Sequence, residues 1–143
     1  MTLRLAPATL LLLAACGSQA TGDLPGGDGT QPYAGLPAAD TLHFAGTEPF
    51  WGGEVSGTRL RFAEPDDQQG TIVPVTRFAG RGGVSFSGKL AGADFTLLAS
   101  EAPCSDGMSD RTYPFTVTVE AGERLLAGCG WSEHRPYTGA EAP

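Results

Sequence analysis

The sequence predicts an all-β protein: a small antiparallel up-and-down meander or barrel of seven to eight strands with one disulfide. Three observations predict it. Apolar and polar residues alternate with a period of two in several runs, no stretch keeps a helical period over three turns, and short turn-forming segments separate the runs. Short connections between successive strands favour a meander, and closure into a barrel leaves no exposed edge.

The N-terminal segment, residues 1–15, has the pattern of a bacterial lipoprotein signal peptide. One basic residue, Arg4, precedes an apolar stretch that is too short to span a bilayer about 30 Å thick. The string Leu13-Ala14-Ala15-Cys16 resembles the lipobox read by the lipoprotein signal peptidase, which implies cleavage before Cys16 and lipidation of its thiol. An ordinary secretory peptide is the alternative. Because Gly17 rather than Asp follows the cysteine, we expect anchoring at the outer membrane, facing the periplasm.

Three further segments follow from composition. Residues 16–40 are expected to be the lipidated cysteine and a flexible tether, because the part after Cys16 holds six Gly and three Pro without periodicity. Residues 41–131 are expected to form the β-barrel domain. Residues 132–143 are rich in Pro, Gly and Ala, and we expect a loose C-terminal tail.

Alternation of inward and outward residues marks the strands of the predicted domain. Three runs show it most clearly, with apolar residues or glycine at every second position: Leu60 and Phe62; Val84, Phe86, Gly88 and Leu90; and Tyr113, Phe115, Val117 and Val119.

Turn chemistry predicts the register of two hairpins. A two-residue type II′ turn at Gly92-Ala93 would set Leu90 opposite Phe95. In the last hairpin, a three-residue loop at 120–122 would pair Tyr113 with Cys129 and point Cys129 into the barrel. A two-residue loop is the alternative for this hairpin, and burial of the apolar residues favours the longer one.

The cysteines predict one disulfide. With Cys16 used for the anchor, Cys104 and Cys129 remain as an even pair in an oxidising compartment. The alternative is a metal site that uses both thiols with His43 and His134, but the close ligand spacing of a zinc site is missing. We therefore predict no metal and no cofactor.

Two segments carry a resemblance to a known family. They are Gly46-Thr47-Glu48-Pro49-Phe50-Trp51 and the run from Cys104 to Phe115, CSDGMSDRTYPF, followed later by Gly128-Cys129. With the lipobox, they resemble an uncharacterised family of small proteobacterial lipoproteins and secreted proteins. A weaker likeness is to membrane-bound inhibitors of animal-type lysozyme, which are small lipid-anchored barrels with a stapled, Ser-rich loop.

The loop after Cys104 is the candidate binding site, because binding residues gather on loops held by a rigid scaffold. Its side chains offer two carboxylates, two hydroxyls and a guanidinium: Ser105, Asp106, Ser109, Asp110 and Arg111. The alternative is that these groups bond to one another and to nearby backbone amides within the loop. Calcium binding by the two aspartates has no support from a calcium-loop pattern.

Trp51 is expected to have a structural role. Its position after Pro49 and Phe50 is similar to that of the Trp that closes one end of lipocalin-like barrels, beneath an Arg from a late strand such as Arg124.

The net charge and the lack of a catalytic motif argue against two classes of function, nucleic-acid binding and catalysis. The formal net charge is −7, which opposes binding to nucleic acid, and no catalytic motif is present, so no catalytic residue is predicted. We therefore expect a non-enzymatic, lipid-anchored binding protein of the cell envelope whose partner is an envelope protein or a small ligand. An inhibitor of a lysozyme-like cell-wall hydrolase is the alternative, and an enzyme comes third. An apolar cavity at the barrel mouth would favour a small ligand, and a filled barrel with a protruding loop would favour a protein partner.

Overall fold

The computed structural model describes residues 31–140 of the chain, and these form a closed antiparallel β-barrel. Each strand pairs with the next, and the last pairs with the first. The strands are β1 (Thr41–Thr47), β2 (Phe50–Ser56), β3 (Arg59–Glu64), β4 (Asp67–Ala79), β5 (Gly83–Leu90), β6 (Ala93–Cys104), β7 (Tyr113–Ala121) and β8 (Arg124–Ser132). The prediction of an all-β barrel of seven to eight strands with one disulfide is therefore confirmed. No helix in the described part is long and apolar enough to cross a membrane.

Apolar side chains fill the barrel. The alternating runs place one residue in two on the inner face, where aromatic and branched side chains pack together. Among them Phe44, Phe95 and Phe115 are at most 1% exposed. The interior is therefore a packed core, and any binding surface of the described residues must lie outside it or at its ends.

The two barrel ends differ in construction. The turns after β1, β3, β5 and β7 lie at one end, which we call the Phe50 end after the residue that begins β2. The turns after β2 and β4 lie at the other, which we call the Leu36 end. There Leu36 is 2% exposed within the core, its carbonyl accepts a hydrogen bond from Arg77 at 2.6 Å, and Tyr33 N–H donates to Gly80 at 2.7 Å.

The packed region is longer than the predicted 41–131. Residues 33–36, assigned to the tether from composition, close the Leu36 end because Leu36 offers a branched apolar side chain to the core. The predicted loose tail is also anchored over its described part, to residue 140. Thr138 exchanges two backbone hydrogen bonds with Thr112, and Tyr137 packs against Tyr113 with ring centroids 5.4 Å apart.

The β5–β6 turn lies one residue earlier than predicted, which shifts the strand pairing by two residues. Ala91 and Gly92 are its central residues, with φ of 51° and 87°, so Leu90 pairs with Ala93 rather than with Phe95. Positive φ at both central positions is typical of a type I′ turn, whose twist matches that of the strands. Because the error is an even number of residues, the predicted inward faces remain correct.

The predicted register of the last hairpin is wrong by an odd number of residues. The side chain of Cys129 therefore lies on the opposite face of the barrel from the predicted one. The turn uses Gly122 and Glu123, which pairs Val119 with Leu126 and Thr116 with Cys129. Both alternatives considered from the sequence miss this register, which buries Leu126 on the inner face. Cys129 consequently points to the outer face of the barrel, where Cys104 is bonded to it.

Candidate functional site

The candidate loop lies against the outer wall of the barrel. The register shifts between Glu101 and Cys104 at the end of β6, and the disulfide to Cys129 joins the loop to β8, with the two Cα atoms 5.6 Å apart. Residues 105–111 therefore pack across β8 and β1 and cover part of the first motif segment.

Asp106 organises the loop. Its carboxylate accepts hydrogen bonds from the backbone N–H groups of Met108 and Ser109, both at 2.9 Å, and from the Ser109 hydroxyl at 2.8 Å. The Tyr113 hydroxyl donates a further hydrogen bond at 3.1 Å. The bonds to the two backbone amides are those of an Asx turn. This carboxylate therefore stabilises the fold of the loop.

Hydrogen bonding also sets the charge of Asp106. The Met108 and Ser109 amides, together with the Ser109 and Tyr113 hydroxyls, lower the pKa of this carboxyl from 3.8 to about 2, against the opposing effect of burial. A depressed pKa means that the carboxylate stabilises the fold above its unfolded pKa. This stabilisation is lost as the pH falls from about 4 to about 2.

We therefore predict a pH-dependent effect for Asp106→Asn. At pH 7 the variant should lose about 1 to 2 kcal/mol of unfolding free energy, because the charged acceptor is replaced by a neutral amide. The deficit should shrink as the pH is lowered towards 2, where wild-type Asp106 is about half protonated. Thermal melts of both proteins from pH 7 to pH 2 measure it, with Asp110→Asn, at an exposed neighbouring position, as the control. A deficit that stays constant with pH would contradict the assigned role.

An aromatic cluster packs next to Arg111, at the end of the loop. Trp131 packs against Tyr113, with centroids 5.4 Å apart, and its other neighbours are Tyr137 and a stacked His43. The guanidinium carbon of Arg111 lies 4.5 Å from the centre of the Tyr137 ring, a cation–π contact. The cluster ties the loop, β8 and the C-terminal segment together.

The loop and the first motif segment form opposite walls of a cleft of about 350 Å³, which we call the motif cleft. The segment contributes Thr47, Phe50 and Trp51, and the loop contributes Asp106, Met108, Ser109 and Arg111. Phe50 and Met108 are 59% and 61% exposed, although both are large and apolar. A cleft of this size is at the lower end of ligand-site volumes and suits a small group or one part of a larger partner.

A second cleft lies on the other side of Phe50. It has a volume of about 380 Å³, and its far wall includes Pro65, in the turn after β3, and Gln68, near the start of β4. Trp51 lines both clefts. Phe50 is therefore a ridge between two grooves at the end of the barrel.

The structure brings only some of the predicted site residues together. Asp106, Ser109 and Arg111 line the motif cleft, whereas Ser105 lies beside β8 and its hydroxyl accepts a hydrogen bond from Gly107 N–H. Asp110 is exposed outside the cleft lining. Phe50 and Met108 were missed as site residues. Both lie within the two motif segments, which was the available signal.

Trp51 lies in the core near the Phe50 end. It is 4% exposed and packs between Phe44 and Phe62, at 6.0 Å from each ring centroid. A Cβ atom at Gly46 would lie 2.2 Å from the indole nitrogen, so only glycine fits beneath the ring. Arg124, expected above this ring, forms an ion pair with Glu64.

The metal alternative loses its proposed ligands. Both thiols are joined in the disulfide, and the described residues hold no group of three or more His, Cys, Asp or Glu side chains placed to bind a metal ion.

Comparison of the chain with protein-family models, with curated proteins and with solved structures finds no match. The function must therefore be inferred from the site.

Proposed function

We propose that this protein is a non-enzymatic, lipid-anchored binding module of the cell envelope, and that the motif cleft is where its partner binds. One observation carries the proposal. Two motif segments that are far apart in the sequence meet around one cleft, with Phe50 on one wall and Met108 on the other. Large apolar side chains left in water beside a cleft are typical of interaction surfaces.

The filled barrel supports a macromolecular partner over a ligand enclosed in the barrel. Aromatic and branched side chains occupy the interior, so binding falls to the outer surface. The loop does not extend into solvent, because the hydrogen bonds of Asp106 and the disulfide hold it against the outer face of the barrel. A partner would therefore meet a preformed surface, which reduces the entropy cost of association.

Photocrosslinking in the bacterial host tests the proposal. A photoreactive phenylalanine analogue placed at Phe50 or Met108 should capture a defined partner in intact cells. The same analogue at Phe78 provides a matched control, since this apolar residue is 68% exposed but lies outside the cleft. Equal capture from all three positions, or capture from none, would contradict the proposal. Recovery of a cell-wall hydrolase would identify the protein as a regulator of that enzyme.

Lipid anchoring has its own test. Cys16 lies outside the described residues, and its lipidation is proposed from the sequence string that ends at this residue. Since only the Cys16 thiol would carry the diacylglyceryl group, Cys16→Ser should abolish incorporation of a fatty-acid analogue and leave an unprocessed or soluble form. The double variant Cys104→Ser, Cys129→Ser should keep the label. A labelled Cys16→Ser protein would refute the anchor.

A further inference from the structure

The Phe50 ridge is surrounded by uncompensated negative charge. Seven carboxylates belong to the Phe50 end: Glu48, Glu64, Asp66, Asp67, Asp94, Glu120 and Glu123. Among the described residues, the cations at this end are Lys89 and Arg124, which are paired with Asp94 and Glu64, and Arg111 lines the motif cleft together with Asp106. The carboxylates outnumber these cations and set the sign of the potential at this end.

The charges nearest to Phe50 are exposed. Glu48 precedes it by two residues in the turn after β1. Asp66 lies in the turn after β3 and Asp67 begins β4, both next to residues that line the second cleft. All three side chains are exposed. A central apolar residue with a charged rim is the usual composition of a protein interface.

The opposite end is nearly balanced in charge. Arg59, Arg77, Arg81 and Arg135 lie towards the Leu36 end, where Asp40, Glu101 and Glu133 are the acidic residues. The barrel is thus electrically polarised along its axis. Tyr33, near the start of the described residues, binds Gly80 at the Leu36 end, away from Phe50.

We infer that the Phe50 end is the docking surface for a basic protein, which would insert apolar groups on both sides of Phe50 and place Lys or Arg side chains on the surrounding carboxylates. This inference rests on the proposed function, to which it adds the chemical class of the partner. The charge of the end steers a basic protein towards the ridge, and the two clefts supply the apolar contact.

A binding assay with two defined peptides tests the inference on the full-length, processed protein in detergent. One peptide carries phenylalanine and lysine in a Gly/Ser background, and the other has glutamate at every lysine position. We expect the lysine peptide to bind and the glutamate peptide not to bind, with affinity for the lysine peptide falling as salt is raised.

Matched variants separate docking at this end from general attraction between opposite charges. Phe50→Ser should weaken binding of the lysine peptide about fivefold or more, whereas Phe78→Ser should leave it unchanged within about twofold. Glu48→Lys should weaken it about threefold, and Glu133→Lys, which makes the same change of charge at an exposed position of the Leu36 end, should not. Melting curves establish that each variant is folded.

The outcomes also separate this inference from the proposed function. Equal losses in the cleft variants and their controls would overturn docking at the Phe50 end. Crosslinking at Phe50 to an acidic or non-protein partner would overturn the basic-protein assignment while the proposed binding role stands. Failure of crosslinking at both Phe50 and Met108 would remove the proposed function itself.

Discussion

Replacing Cys104 and Cys129 together with serine is expected to lower the melting temperature by about 10 to 20 °C. The disulfide closes a chain segment with a sequence separation of 25, for which the chain-entropy relation gives a stabilisation of about 3.5 kcal/mol. Small domains have total stabilities of about 5 to 15 kcal/mol, so this loss is a large share of the total. The double variant avoids the unpaired thiol that a single substitution would leave.

The disulfide also holds one wall of the motif cleft. Without it, residues 105–111 keep the hydrogen bonds around Asp106 and the contacts of Arg111 and Tyr113 but lose their covalent link to β8, so we expect limited proteolysis to cut this loop before the barrel. Thermal melts and timed proteolysis followed by mass measurement test both effects. An unchanged melting temperature, or two alkylatable thiols in the natively exported wild-type protein, would contradict the role of the bond.

The fold class was predictable because the alternation of apolar residues reports directly on a half-buried strand. The register was less predictable, since turn length alone leaves several alternatives. At Leu90 the register error was an even number of residues, so the assignment of inner and outer faces stayed correct. At Cys129 the register error was an odd number, so the side chain lies on the outer face and not on the inner one. The pairing of Cys129 with Cys104 survived this error because it was argued from compartment and cysteine count.

The site was predictable in part. Asp106 and Ser109 were identified as loop residues, but the structure uses them chiefly to bond to each other and to the backbone, as the alternative interpretation held. The closeness of Phe50 to Met108 depends on how the loop folds back over β8 and β1. That fold-back is a long-range property, and neither periodicity nor turn chemistry reports it.

The composition of residues 31–40 predicts a tether, although part of this segment packs against the core. Gly and Pro around Leu36 indicated a flexible tether, because averages over a segment conceal a single residue that fits the core. A barrel of eight strands has two ends, and its apolar interior must be covered at each of them. Trp51 lies in the core near one end, and Leu36, from the segment before β1, lies within the core at the other.

Leu36→Ala is therefore expected to reduce the unfolding free energy by about 2 to 3 kcal/mol. Removal of a buried Leu side chain costs about 2 to 5 kcal/mol, and a site at the end of a barrel relaxes more easily than one at its centre. If residues 31–40 were only a tether, the same substitution would have no effect. Urea denaturation of the wild type and the variant measures the difference.

Leu125→Ala is the matched control, because this leucine is 70% exposed, compared with 2% for Leu36. Loss of the Leu36 side chain should also loosen its neighbours. The Arg77 guanidinium donates to the Leu36 carbonyl, and the Tyr33 ring lies edge-on to Phe115 with centroids 6.5 Å apart. Amide hydrogen exchange should therefore rise at Tyr33 and in the turn at Gly80, while exchange near Trp51, at the opposite end, stays as in the wild type. Equal midpoints and slopes in urea for the wild type and Leu36→Ala would show that this residue does not close the barrel.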